Sequence, residues 1–80
     1  MNKNETRPLL VRTLERARAA EEAAYQGAQQ AARVESTWQP VAEAKEEWDR
    51  ARLARAQAEL QLWLADRQWD REELEARQNA

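Results

Sequence analysis

Chemistry in this sequence would have to come from carboxylates, arginines and a few hydroxyls, because histidine and cysteine are absent. The hydroxyls are Thr6, Thr13, Tyr25, Ser36 and Thr37, and no imidazole is available to activate any of them as a nucleophile. Carboxylates are plentiful, and Glu43/Glu47 and Asp66/Asp70 recur at a spacing of one helical turn. Such a pair could hold a hard cation, but a thin helical scaffold offers no closed cavity and no Glu-x-x-His motif is present. The single glycine cannot build a loop that cradles phosphate. Without cysteine there are no disulfides and no thiolate metal sites. The sequence therefore predicts a protein that is not an enzyme, with no cofactor, no metal and no small-molecule substrate.

Arginines are the next candidates. Arg50, Arg52 and Arg55, then Arg67 and Arg71, make the second half locally basic, as Arg7, Arg12, Arg16 and Arg18 do near the start. In the chain as a whole, 13 basic residues are outweighed by 15 acidic ones, for a net charge of −2. That balance lacks the footprint of a dedicated nucleic-acid binder. With only Lys3 and Lys45 as lysines, a membrane-surface helix is not expected either. The remaining reactive surface is aromatic. Four tryptophans in 80 residues are many for a chain with one tyrosine and no phenylalanine, and tryptophan is a frequent interface anchor.

The elements that must position these side chains are helices. Eighty residues make one small domain at most, and the 42% hydrophobic content is largely alanine. A 35% charged fraction with a single glycine matches long-helix composition. The organising stretch runs from Trp48 to Trp69; it has no glycine or proline and carries three of the four tryptophans. Thr6 and Pro8 mark a first helix from about residue 7 to 35, after a flexible lead over residues 1–6. Ser36 to Pro40 interrupts it, since Pro40 lacks a donor and disfavours helical geometry at Gln39. A second helix follows from about 40 to 77, with 78–80 frayed. A short connection between two amphipathic helices favours an antiparallel hairpin over one long helix kinked at Pro40.

In a hairpin turning near residue 38, residues whose numbers add to about 76 lie level with each other. The first helix offers the stripe Leu10, Leu14, Ala17, Glu21, Ala24, Ala28, Ala31, and the second offers Ala44, Trp48, Ala51, Arg55, Ala58, Leu62, Ala65, Trp69. Each stripe contains one misplaced charge, Glu21 and Arg55, and the level rule sets those two opposite each other. A lone charge in an apolar seam is costly, whereas a facing pair is tolerable and fixes register. Leu14 then meets Leu62, and small Ala28 faces large Trp48.

A further stripe of Leu53, Ala56, Leu60, Trp63 and Leu74 lies roughly 160° around the second helix. One neighbouring helix cannot cover both sides. With Trp69 at the overhanging end, these residues form the expected interface, and such a patch marks a contact with another molecule. The expected fold is all-α, an antiparallel two-helix hairpin with an alanine-rich coiled-coil-like seam, dimerising into a four-helix bundle. The expected function is non-catalytic protein–protein interaction, as a small structural, adaptor or inhibitor module whose partner is itself, as a homodimer, or another protein. In size and topology alone the chain resembles the ROP-type plasmid regulators, which are dimers of helical hairpins. That resemblance implies an alternative, a nucleic-acid-binding regulator using Arg7, Arg12, Arg67 and Arg71 at one end of the rod; no motif of the family is matched. The start, Met-Asn-Lys-Asn, lacks an apolar leader, and no apolar run is long enough to span a bilayer, so a cytoplasmic location is expected.

Overall fold

The computed structural model describes residues 2–79, and these form two long helices with one sharp reversal. Helix α1 spans Lys3–Val34 and helix α2 spans Trp38–Asn79. They lie side by side as a rod measuring 67 × 16 × 15 Å. The antiparallel hairpin is the architecture, and a single kinked helix is not.

Helix α1 begins at Lys3, four residues before the expected start. Asn2 is the reason: its Oδ1 accepts the Glu5 backbone N–H at 3.0 Å, and its backbone oxygen accepts from Glu5 and Thr6. An asparagine cap three residues ahead of a glutamate is a strong helix-start signal, and it outweighs Pro8. That proline sits inside α1, where its lack of an N–H removes one intrahelical bond near an end. Residues 3–6 are therefore helical rather than a lead-in. Met1 and Ala80 lie outside the described residues, while Gln78 and Asn79 belong to α2.

Helix α1 stops at Glu35, whose φ of −88° and ψ of 134° are extended and whose N–H donates to the Ala31 carbonyl at 3.0 Å. Helix α2 takes up at Trp38, earlier than expected, so that Pro40 falls in its first turn. Proline is harmless there, because the first helical N–H groups have no acceptor within the helix. The break is thus three residues long.

Between the helices the core is thin. Among the described residues only Leu14 and Ala58 are buried, each 6% exposed. The rest of the seam is half-covered: Leu10, Ala17, Ala24, Ala28 and Ala31 on α1, and Ala44, Trp48, Ala51, Leu62 and Ala65 on α2. On the far side of α1, Arg12, Glu15, Glu22, Gln26 and Arg33 are exposed, as helical periodicity demands.

Candidate functional site

A charged pair bridges the seam of the hairpin. Arg55 donates from Nε to Glu21 Oε2 at 2.7 Å and from Nη2 to Oε1 at 3.4 Å, a two-pronged contact across the seam. Its Nη1 donates to Glu59 Oε2 at 3.0 Å, and Glu59 in turn accepts from Arg18 at 3.4 Å. The Glu21 and Arg55 side chains are 22% and 25% exposed, so most of the pair is shielded from water. Arg55 holds the Glu21 carboxyl below its ordinary value of 4.5, chiefly by hydrogen bonding and against the opposing effect of desolvation. The expected facing pair is present. Glu59 and Arg18, which extend it into an alternating chain of four charges, went unnoticed in the sequence because both read as ordinary surface residues.

A second clamp ties the open end. Arg7 donates from Nε and Nη2 to the two Asp66 carboxylate oxygens at 3.0 and 3.2 Å. This ion pair links the start of α1 to α2 at the open end. Trp69 was expected to overhang as part of the interface. That tryptophan, which also belongs to the inner stripe, is half-covered.

Near the turn, Trp48 and Tyr25 pack with ring centroids 5.0 Å apart and planes tilted by 55°. The Arg52 guanidinium lies 4.8 Å from the Trp48 ring on the outer side. Tyr25 is a half-buried partner of the tryptophan. Trp38 is 78% exposed at the head of α2.

The outward stripe of α2 is exposed. Leu53 is 60% exposed, Leu60 51%, Trp63 54% and Leu74 54%, with Ala56 exposed between them. Leu64, one turn beyond Leu60 and 51% exposed, widens the patch. It was missed because it sits at the stripe's edge rather than on its axis. Isolated exposed leucines are unremarkable on a protein surface, but a cluster such as Leu53, Leu60, Trp63 and Leu64 on one helix face is not.

The arginines of the alternative reading are dispersed in their contacts. Arg7 is engaged by Asp66, and the Arg67 guanidinium lies 5.0 Å from the Trp63 ring. Arg12 and Arg71 are exposed. No helix of the described residues is long and apolar enough to cross a membrane. Among the described residues no group of three metal-ligating side chains comes together. Comparison with protein-family models finds no match for the chain, and comparisons with curated proteins and with solved structures find none either.

Proposed function

We propose that this protein is a non-catalytic protein–protein interaction module, acting through the outward face of α2 and self-associating as a two-fold, four-helix assembly. The observation that carries this reading is the imbalance between the two sides of α2. Its inner side is fastened by three cross-helix ion pairs and a thin seam, while its outer side leaves Leu53, Leu60, Trp63, Leu64 and Leu74 half or more exposed. A rod with two buried residues has little core of its own. Covering the exposed half of five such side chains on each of two copies contributes on the order of 10 kcal/mol. That is comparable with the roughly 4–15 kcal/mol that association costs. A second copy supplies the matching apolar row without any other component, and two-fold pairing is the commonest way proteins close such a surface.

The ROP-like reading is weakened by the Arg7–Asp66 clamp, which neutralises one of its four arginines. Asp66 and Asp70 also interleave with Arg67 and Arg71. Sedimentation equilibrium on the wild type and on Leu60→Ala combined with Trp63→Ala tests the proposal. The expected result is a dimer for the wild type and a monomer for the double variant. A dimer unaffected by the double substitution would move the interface elsewhere.

A further inference from the structure

Resting on that reading, we infer that the second copy docks antiparallel along α2 in one register, Leu53 against Trp63 and Ala56 against Leu60, closed at both ends by Asp49–Arg67 pairs between chains. The stripe Leu53, Ala56, Leu60, Trp63 is spaced three, four, three, so it superposes on itself when reversed. Every large side chain of the stripe centre then meets an apolar neighbour, and small Ala56 lies opposite Leu60.

The next positions outward, four residues on either side, are Asp49 and Arg67. Reversal sets them opposite each other twice, once at each end of the apolar block. Arg67 is placed for this. Its guanidinium rests on the Trp63 ring at 5.0 Å, and among the described residues it makes no ion pair within its own chain. Asp49 is already flanked by Lys45 and Arg52, which keep its carboxylate charged.

The alternatives fare worse. A parallel pairing stacks Glu46, Asp49, Arg67 and Asp70 each on its own copy, and like charges directly opposite are destabilising. Sliding the antiparallel pair by one heptad sets Leu53 against Asp70, or Trp63 against Glu46. The chosen register brings Arg52 near Asp66 and Lys45 near Glu73 along one flank, and Glu43 near Arg71 along the other. Its unfavourable contact is Glu46 with Asp70 at the outer ends, where Arg50 and Arg71 lie within a turn of each. Because the stripe is roughly 160° from the seam, the four helices stand in a row, α1–α2–α2′–α1′, rather than at the corners of a square.

Charge exchange tests the register. Asp49 and Arg67 are 18 residues apart on one straight helix, about 27 Å at 1.5 Å per residue, so they cannot meet within a chain. Asp49→Arg and Arg67→Asp alone should each weaken the dimer roughly tenfold, and the double variant should recover most of that loss. Additive losses, with a wild-type dimer, would overturn the register while leaving self-association intact. A wild-type monomer at all concentrations would overturn both. Since a charge reversal also disturbs the local Lys45–Asp49–Arg52 contacts, a second test uses the absence of native cysteine. Mixed Asp49→Cys and Arg67→Cys chains should form a disulfide readily, and Asp49→Cys alone should not. Efficient cross-linking of Asp49→Cys with itself would mean a parallel pair and sink the proposal.

Discussion

Glu21 and Arg55 face each other across the seam between the two helices. Each would be an error on its own, a charge in a seam otherwise made of alanine and leucine. Together they make the shortest cross-helix contact among the ion pairs, and Glu59 and Arg18 extend it. Reversing Glu21 to Lys should lower the melting temperature, and adding Arg55→Glu should restore part of it. Purely additive effects of the two changes, read by thermal denaturation, would mean that they do not act as a pair. The same pair sets a pH dependence. The Glu21 and Asp49 carboxyls are both held below their ordinary values, by Arg55 and by Lys45 with Arg52. Groups with depressed folded-state values contribute stability above their unfolded values and lose it as pH falls through the folded ones. Melting temperature should therefore drop as the solution is acidified below the usual carboxylate range of about 4. Glu21→Gln should show a shallower drop. An equal slope in wild type and variant would remove Glu21 from the acid response.

At the scale of the helices, the two elements differ in how much of them packing holds. Leu14 and Ala58 are the buried points of the seam, so Leu14→Ala should cost about 2–5 kcal/mol, in line with leucine truncations in cores. In so thin a structure that is enough to remove most of the helical circular dichroism at room temperature. Gly27 should behave in the opposite sense. It lies within α1, and a Cβ added there meets nothing within 4 Å. Gly27→Ala should stabilise α1 by about 0.5–1 kcal/mol, and a lower melting temperature would contradict that.

The element layout was legible in the sequence because helix periodicity, Pro40 and the facing charges all pointed to the same hairpin. The start of α1 was not, since Thr6 and Pro8 drew attention away from the Asn2–Glu5 cap. Trp69 was legible as a seam position from its spacing, and it is half-covered there. Leu53, Leu60, Trp63 and Leu74 were legible as an outward row from spacing alone. Tyr25 against Trp48 and Arg7 against Asp66 depend on side-chain reach between helices, which spacing does not report.

The whole molecule is a rod of 67 Å whose length is its main extent and whose apolar row runs along, not across, that length. Association through this row should thicken the particle without lengthening it, so small-angle scattering of the dimer should give a maximum dimension close to that of the single rod. A near doubling would place the contact at the ends instead, at Trp38 or at the tail of α2. If this row belongs inside an assembly, folding is linked to concentration by mass action. The most direct measurement is the melting temperature of the wild type, followed by circular dichroism over a roughly hundredfold range of protein concentration. A melting temperature that climbs steadily with concentration is the result expected here. One that stays constant across that range, with full helicity at the lowest concentration, would contradict it.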